Sequence, residues 1–290
     1  MEELKKDQLY NLENCPICKS TSKLIDIVKT INPNSNETLN LRECKYCEHW
    51  WIDPMPKQNY LIELYRKCSE FITNKDCKET CTLPNEDIKK YANRFLYNIK
   101  NTKKLNYLEI GVGSGKLFNF LKKKFNLIYG IDPAKWKPLD KNIVEDIKYV
   151  PDNIKFDVII LQDVMEHLEN PLEMMIKIKK ISNKNAIIGM CFPNKDVLIA
   201  KIQKGRWSMI RPIGHLHFFS SKSIEKMFEN SGWKLLKKYS YWAAPTGFYY
   251  IKNFDFHSKS IFRLIGRIIR DLIIKQLLLG KDQWYVIGTS

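Results

Sequence analysis

The pattern that most constrains the fold of this chain spans residues 107–132. A short apolar run enters a turn that reads Gly-Val-Gly-Ser-Gly, and a second apolar run follows at 127–131. Glycine has no Cβ and tolerates positive φ, so such a turn lets the backbone come close to a ligand. We predict a helix from about Lys116 to Lys124, whose first N–H groups and positive dipole end point at the same place. Strand, turn, helix and strand in this order predict an α/β sheet.

Two acidic residues of this unit indicate which ligand it binds. Asp132 lies at the tip of the second predicted strand, where a carboxylate accepts hydrogen bonds from both hydroxyls of a ribose. Dinucleotide-binding turns have the spacing G-x-G-x-x-G, whereas the glycines here alternate, and Glu109 just before them would repel a pyrophosphate. A carboxylate at this place suits a ligand with a cationic amino acid end. The residues therefore predict a nucleoside site, and the alternative is an ordinary strand turn without a ligand.

The stretch 107–115 resembles motif I of class I S-adenosylmethionine-dependent methyltransferases, in which a hydrophobic, an acidic and a hydrophobic residue precede G-x-G-x-G. The resemblance implies methyl transfer with S-adenosylmethionine as the cofactor. A non-catalytic cofactor-binding scaffold is the alternative, and the intact motif disfavours it. The cofactor-binding residues that the resemblance implies are Glu109, Gly111, Gly113, Ser114, Gly115, Asp132, Pro133, Gln162 and Asp163.

The next segments are typical of further sheet strands and a connecting helix. Unbroken apolar runs at 156–161 and 186–192 predict buried strands, and Asn170-Pro171 predicts the start of a helix that continues over 172–181. This stretch resembles the Phe-Asp-Val-Ile, Glu-His-Leu and Pro-Asn segments of a methyltransferase subgroup that includes ubiquinone O-methyltransferases and sugar and antibiotic tailoring enzymes.

The last predicted elements complete the fold class. We expect a helix at 223–231 that Gly232 ends, followed by strands at 234–240 and 284–288. The alternation of helices and apolar strands predicts a doubly wound α/β domain over residues 105–290. By resemblance it is a seven-stranded Rossmann-like methyltransferase sheet whose last strand is antiparallel.

Four cysteines near the start of the sequence predict a metal site. Cys15 and Cys18 form one C-x-x-C pair, Cys44 and Cys47 form a second, and 25 residues separate the pairs. Two such pairs supply four thiolates to one tetrahedral Zn²⁺, although the usual ribbon loop is shorter, about 15 to 20 residues. Two disulfides or a redox pair are the alternatives. Because no charged region followed by an apolar stretch opens the sequence, we expect a reducing, cytoplasmic setting and a small zinc ribbon over residues 1–57.

The residues after the second cysteine pair strengthen this interpretation. Residues 51–56 and 61–65 resemble the start of bacterial methyltransferases that have an N-terminal zinc-binding region, among them ketosugar C-methyltransferases. A ribbon of this size lacks a core of its own, so metal binding is expected to drive its folding. The polar segment 58–104 is predicted to be a helical linker or cap that closes over the cofactor.

The charge of the chain bears on the acceptor. A formal net charge of +16 is what an RNA-binding enzyme would show, and a zinc-ribbon RNA methyltransferase is the alternative. The lysines are scattered, however, and neither an Asp/Asn-Pro-Pro-aromatic motif nor a Pro-Cys nucleophile follows the strand at 186–192. A nucleic acid acceptor is therefore disfavoured. Anionic small molecules suit a basic protein equally, so we expect a sugar, nucleotide-sugar or lipid-linked glycan acceptor, as in polysaccharide biosynthesis.

Two histidines are the candidate catalytic residues. His215 lies in the aromatic segment 205–220, which is unlike a core strand and is predicted to form the substrate side of the site. This segment resembles the W…P…H-L-x-F-F-S segment of small-molecule methyltransferases. His215 matches the histidine that serves as the base in ketosugar C-methyltransferases. Those enzymes have a Glu directly before that histidine, where this chain has Gly214, so C-methylation is disfavoured and O-methylation is expected. An oxygen nucleophile must lose its proton, and histidine is the usual base; a structural role for His215 stays open. His167 is the second candidate, and a structural role beside the cofactor is favoured for it.

An insertion separates the last two predicted strands at about 241–282. It contains a predicted helix at 260–279 whose apolar face is too wide for a solvated surface helix. That helix is expected to pack on protein, either on the sheet or in a homodimer, and peripheral membrane contact is the alternative. The sequence has no run of eighteen apolar residues, so no membrane span is expected. A cytoplasmic or membrane-peripheral transferase is predicted.

Overall fold

The computed structural model describes residues 6–29, 38–74, 85–96, 99–134, 140–211, 214–241 and 283–290. Its strands are β1 Leu9–Tyr10, β2 Ser22–Lys29, β3 Thr38–Cys44, β4 Trp50–Asp53, β5 Met55–Pro56, β6 Asn106–Ile110, β7 Leu127–Ile131, β8 Ile143–Val144, β9 Phe156–Gln162, β10 Ser182–Pro193, β11 His217–Phe218, β12 Lys234–Tyr241 and β13 Gln283–Thr289. Its helices are α1 Gln58–Asn74, α2 Asn85–Leu96, α3 Lys116–Leu121, α4 Pro171–Lys180, α5 Leu198–Gln203 and α6 Ser221–Ser231. The helix expected at 260–279 lies outside the described residues.

A seven-stranded sheet contains the apolar runs of the C-terminal region. Its order is β12-β13-β10-β9-β6-β7-β8. The strands from β10 to β8 in this order run parallel to one another, whereas β13 is antiparallel to both β10 and β12. The predicted seven-stranded α/β sheet with an antiparallel last strand is confirmed. Among the described helices, none has the length and apolar character needed to cross a membrane.

The strand order places a ligand-binding edge at the centre of this sheet. From β6 the chain first moves outward through β7 and β8, and then returns to place β9 and β10 on the other side of β6. The order therefore reverses between β6 and β9. In open α/β sheets, ligands bind beside the carboxyl ends of the strands at such a reversal, which is where the glycine-rich turn and the residues after β9 lie.

Side chains cap the helices beside the sheet. Asn170 Oδ1 accepts a hydrogen bond from the Glu173 N–H at 3.1 Å, and Pro171 is the first residue of α4. At α6, Ser220 and the side chain of its third helical residue form a capping box, and Gly232 ends the helix with a φ of 73°. Both helix starts follow from residues that satisfy free backbone N–H groups. The predicted caps Asn170 and Gly232 are confirmed.

Helix α3 is shorter than predicted. It ends at Leu121 rather than at Lys124, because the chain turns there and buries Phe125 against Tyr107, with ring centroids 4.9 Å apart. A helix of six residues has a small macrodipole. The free N–H groups of its first turn therefore matter more for ligand binding than the dipole that the sequence suggested.

A second sheet joins the cysteine-bearing region to the rest of the protein. Its order is β11-β4-β3-β2, and β11 comes from the segment that precedes α6. His217 pairs with Trp51 and Phe218 pairs with Trp50, in antiparallel register. The buried Trp51 also donates from Nε1 to the Leu12 carbonyl at 2.8 Å. The cysteine-bearing region thus completes its sheet and its core with residues from the C-terminal half.

Candidate active site

The glycine-rich turn comes very close to the residues that follow β9. Gly111 has a φ of +76°, and a Cβ added there would lie 2.3 Å from Cγ2 of Val164. Gly113 and Gly115 also have positive φ, 53° and 75°, but a Cβ at Gly113 would meet nothing within 4 Å. Position 111 therefore requires glycine for two separate reasons. The turn presents bare backbone at the strand-order reversal, with Ser114 exposed beside it.

Asp132 connects the glycine-rich turn to β7. Its buried carboxylate accepts hydrogen bonds from the Gly113 N–H at 2.6 Å and from the Ala134 N–H at 2.9 Å. Burial raises the pKa of Asp132, and the two N–H donors oppose that shift. Each carboxylate oxygen accepts more than one hydrogen bond, so Asp132 keeps capacity for ligand hydroxyls. Pro133 follows it, and its carbonyl accepts from Arg66 Nε of α1 at 3.0 Å.

Glu109 is a second buried carboxyl at this edge of the sheet. It accepts a hydrogen bond from the Tyr107 hydroxyl at 3.2 Å. Burial raises the pKa of Glu109 to about 8, the bond from Tyr107 opposes this shift, and the charge of Asp132 adds to it. A positive group placed beside the two carboxyls would favour their ionised forms. This edge therefore suits a cationic ligand better than one with a pyrophosphate.

Gln162 and Asp163 lie at the carboxyl end of β9. Gln162 is half-buried, whereas Asp163 is exposed and has a φ of 51°, a conformation that aspartate adopts more readily than most residues. The Asp163 N–H donates to the Cys191 carbonyl at 2.9 Å, which ties this turn to β10. Because Val164 contacts Gly111, the turn after β9 and the glycine-rich turn meet. The structure thus places the predicted cofactor-binding residues along the edges of β6, β7 and β9.

His167 and His215 come together beside this edge. Their ring centroids are 4.8 Å apart with an interplanar angle of 72°. His167 Nδ1 lies 2.5 Å from the Gly214 carbonyl oxygen, and His215 Nδ1 lies 2.8 Å from that of Met209. A carbonyl only accepts, so each Nδ1 donates its proton and each Nε2 of the neutral ring keeps a lone pair.

Both imidazoles are held neutral by their surroundings. Burial lowers the pKa of His215 to about 3, with the neighbouring His167 adding to the effect. Burial also lowers the pKa of His167, and its contact with the Gly214 carbonyl opposes this shift. Two neutral rings with free Nε2 lone pairs can accept hydrogen bonds or protons, or bind a cation.

Glu166 is a site residue that the sequence analysis missed. Its side chain is 1% exposed, and its Oε1 lies 3.9 Å from His167 Nε2. Oε2 has no hydrogen-bond partner among the described residues. Burial raises the pKa of Glu166 well above its usual value, and the charge of Asp163 adds to the shift. The available signal was an acidic residue directly before His167 in a turn that follows a buried strand.

The aromatic segment before α6 packs inside the protein instead of lining a pocket. Trp207 and Phe218 are buried with ring centroids 6.0 Å apart, in the core under the second sheet. Phe219 packs on Phe192 at 4.5 Å. The prediction that the aromatic residues Trp207, Phe218 and Phe219 face the substrate was therefore wrong, because they pack in the cores that join the two sheets. Of the segment's predicted functional residues, His215 is the one that reaches the cluster with His167.

The four paired cysteines lie together as free thiols. Three of the Sγ–Sγ distances are 3.4 or 3.5 Å, and one ligand atom from each cysteine lies within 4.8 Å of the others. Tetrahedral zinc with Zn–S bonds of about 2.3 Å places its sulfurs about 3.8 Å apart. The backbone N–H groups of Tyr46 and Cys47 both point at Cys44 Sγ, at 3.3 Å. The set Cys15, Cys18, Cys44 and Cys47 is compatible with a zinc ribbon.

The nearby His49 belongs to a different contact. Its Nε2 lies 3.1 Å from His217 Nδ1, and both rings are buried. Burial lowers the pKa of His217 to about 4. His217 also packs between the two sheets as part of β11, so the pair stabilises the junction of the cysteine-bearing region with the C-terminal half.

Comparison with known proteins gives a family match over more than half of the chain. Residues 83–238 match the family described as methyltransferase domain. An uncharacterized protein of Methanocaldococcus jannaschii is 26% identical over 139 residues, which are 45% of this chain and 65% of that protein. The chain thus matches slightly less than two thirds of the length of this relative.

Solved structures share the fold at low identity. A SAM-dependent methyltransferase from Archaeoglobus fulgidus superposes with a TM-score of 0.50 at 19% identity, covering 71% of this chain and 95% of that chain. Magnesium protoporphyrin IX methyltransferase from Synechocystis PCC 6803, with bound SAH, gives a TM-score of 0.50 at 13% identity over 80% of this chain and 99% of that chain. These two similarities establish the fold that surrounds the site.

Proposed function

The chain belongs to the methyltransferase domain family, and we propose that it transfers a methyl group from S-adenosylmethionine to a hydroxyl of a small-molecule acceptor. The observation behind this proposal is the meeting of three groups at one sheet edge. A bare glycine turn, two buried carboxyls and a neutral histidine pair lie where the strand order reverses.

The chain's own residues fit the cofactor. Gly111 lets the glycine-rich turn pack closely on Val164. Asp132 offers fixed acceptors to ribose hydroxyls, and Glu109 suits the cationic amino acid end. When bound, S-adenosylmethionine supplies an electrophilic methyl group on a sulfonium. The residues proposed to line the remainder of this site are Gly113, Ser114, Gly115, Pro133, Gln162 and Asp163.

The acceptor side is assigned to the two histidines. A hydroxyl must lose its proton as its oxygen attacks, and an Nε2 lone pair of His215 or His167 is a suitable hydrogen-bond acceptor for that hydroxyl. A pKa of about 3 for His215 makes it a weak base by itself, since an efficient general base has a pKa near the working pH. The proposed role of these residues is therefore to hold and activate the hydroxyl together with their neighbours.

A sugar, nucleotide-sugar or lipid-linked glycan is the proposed acceptor class. The net charge of +16 suits an anionic acceptor, and the resemblance to sugar-tailoring methyltransferases points to the same class.

We also propose that the four paired cysteines bind Zn²⁺ in a ribbon over residues 1–57, with the helices of 58–104 as a cap over the cofactor site in 105–290. A cytoplasmic location, with homodimer or membrane contact through 260–279, remains part of this proposal.

Turnover with defined acceptors tests the function. The zinc-loaded protein is incubated with S-adenosylmethionine and, in separate reactions, with nucleotide-sugars, glycolipids and RNA, and S-adenosylhomocysteine is quantified. We expect product with a carbohydrate acceptor and little without one, and the Asp132→Ala variant should lose the activity. Product formed with RNA alone would refute the small-molecule assignment. Binding of S-adenosylmethionine without product from any acceptor would favour the non-catalytic scaffold.

A further inference from the structure

Glu166, His167 and His215 form a compact cluster of metal-ligand side chains. One ligand atom of each lies within 4.8 Å of the others. Glu166 and His167 are consecutive in the turn after β9, while His215 comes from the segment before β11. The Leu216 N–H donates to the Glu166 carbonyl at 2.7 Å. The backbone itself therefore holds the two segments together and keeps the three side chains adjacent.

The hydrogen bonds of the two imidazoles prepare them to bind a metal ion. Backbone carbonyls of Gly214 and Met209 accept from the Nδ1 atoms at 2.5 and 2.8 Å, which leaves both Nε2 lone pairs free. Histidines that ligate metals almost always donate their other ring N–H to a carbonyl, carboxylate or water in this way, because the bond fixes the tautomer and orients the ring. Neutral imidazole is also the form that binds a metal.

Glu166 supplies an independent indication of a missing partner. A carboxyl that is 1% exposed is rarely left with an oxygen that has no hydrogen bond, yet its Oε2 has none among the described residues. A bound cation would satisfy this oxygen and favour the ionised form of Glu166. The charge of Arg211 opposes cation binding here, because it already disfavours a positive charge on either histidine.

We propose that Glu166, His167 and His215 bind one divalent first-row transition-metal ion through the carboxylate and the two Nε2 atoms. Two imidazoles and one carboxylate form a recurring ligand set that leaves further coordination positions open. Ligand atoms at about 2.1 Å from an ion lie roughly 3 Å apart. Glu166 Oε1 and His167 Nε2, which are 3.9 Å apart, therefore close by about 1 Å around the ion, which requires small side-chain rotations.

The catalytic use of this site rests on the proposed methyl transfer. With the ion bound, the metal holds the acceptor hydroxyl in place of the direct hydrogen bond to Nε2, because each Nε2 lone pair is then used as a metal ligand. A hydroxyl at an open position of the ion has a lowered pKa and releases its proton to water. Its oxygen then forms the new C–O bond while the C–S bond of the sulfonium breaks, and the bonding pair stays on sulfur. Because more than one position is open, an acceptor with two adjacent oxygens, such as a vicinal diol of a sugar, is the expected class.

Metal binding is measured on the zinc-loaded full chain, independently of turnover. Mn²⁺ is titrated and followed by electron paramagnetic resonance, because thiolate sites bind Mn²⁺ poorly. Zinc is counted by elemental analysis after dialysis against excess Zn²⁺. Wild type is expected to bind about one Mn²⁺, or a second Zn²⁺, per chain. Glu166→Gln and His215→Gln should each weaken Mn²⁺ binding by about 10-fold or more, since ligand loss typically exceeds the 10- to 100-fold effect of outer-shell changes.

The control variant is Glu173→Gln. Glu173 is an exposed carboxylate on α4, a few residues from the cluster, and pairs with Lys177 at 2.7 Å. Its replacement should leave both metal counts unchanged, and circular dichroism should show that all the variants are folded. The proposal would be overturned if folded wild type bound neither Mn²⁺ nor a second Zn²⁺. It would also be overturned if Glu173→Gln weakened Mn²⁺ binding as much as Glu166→Gln and His215→Gln do.

The two proposals fail in different ways. If the ion binds but no acceptor yields S-adenosylhomocysteine, the metal site stands and the methyl-transfer assignment falls. If product forms while neither metal binds beyond the ribbon zinc, the methyl-transfer assignment stands and the metal site falls.

Discussion

Replacing Gly111 by alanine tests the architecture of the proposed cofactor site. An alanine at a φ of +76° costs about 1–2 kcal/mol, because its Cβ crowds the following carbonyl oxygen. The new Cβ would also lie 2.3 Å from Val164 Cγ2, and overpacking of this kind costs typically 1–3 kcal/mol. We therefore expect a total destabilisation of about 2–5 kcal/mol, measured by urea unfolding in the presence of Zn²⁺.

Gly113→Ala is the matched control. Its φ of +53° is also positive, but an added Cβ meets nothing within 4 Å, so only the backbone cost of about 1–2 kcal/mol applies. Val164→Ala removes both Cγ methyl groups that face position 111. In the Gly111→Ala/Val164→Ala double variant, about 1–3 kcal/mol should be recovered relative to the sum of the single changes.

Two results would refute this account. Equal destabilisation by Gly111→Ala and Gly113→Ala would mean that the close approach to Val164 does not constrain the turn. Strict additivity of Gly111→Ala and Val164→Ala would mean that the two side chains never meet. S-adenosylmethionine affinity, measured by calorimetry on the folded variants, should fall most for Gly111→Ala, since displacement of the turn moves the backbone that approaches the ligand.

Further predictions concern the metal, the ribose contact and pH. The protein should contain about one tightly bound zinc per chain at the four paired cysteines, and elemental analysis that finds no metal in a folded N-terminal region would contradict this. Asp132→Ala should weaken S-adenosylmethionine binding by about 10- to 150-fold, the loss of roughly 1.5–3 kcal/mol of charge-assisted hydrogen bonding, whereas unchanged calorimetric affinity would reject the ribose contact. Burial raises the pKa of Glu109 from 4.5 to about 8, so its contribution to stability is present below pH 4.5 and is lost as pH rises through about 8. Glu109→Gln should therefore flatten the pH dependence of unfolding in this window, and a profile identical to wild type would contradict the burial argument.

The sheet was predictable because its strands have local signatures. Strand β9 lies between two neighbours and is covered on both faces, so it appears in the sequence as an unbroken apolar run. Asn170 and Gly232 cap helices through contacts within four residues, so these caps can also be predicted from the neighbouring sequence. Helix α3 was overestimated because Phe125 leaves the helix to pack on Tyr107, and that contact is not visible from local residue preferences.

The acceptor side was less predictable because it depends on distant residues. The proximity of His215 to His167 follows from a hydrogen bond between Leu216 and Glu166, which lie about 50 residues apart. The role of Glu166 depends on burial, and the sequence shows an acidic residue without showing that water is excluded from it. Trp207 and Phe218 were misassigned for the same reason, since an aromatic cluster that joins two sheets has the same composition as one that lines a pocket.

The pairing of β11 with β4 has a consequence for how the protein is made. The cysteines and β4 leave the ribosome early, but roughly 160 residues must be translated before His217 and Phe218 become available. Until then β4 presents one unpaired edge, which is the kind of surface that associates with other nascent chains.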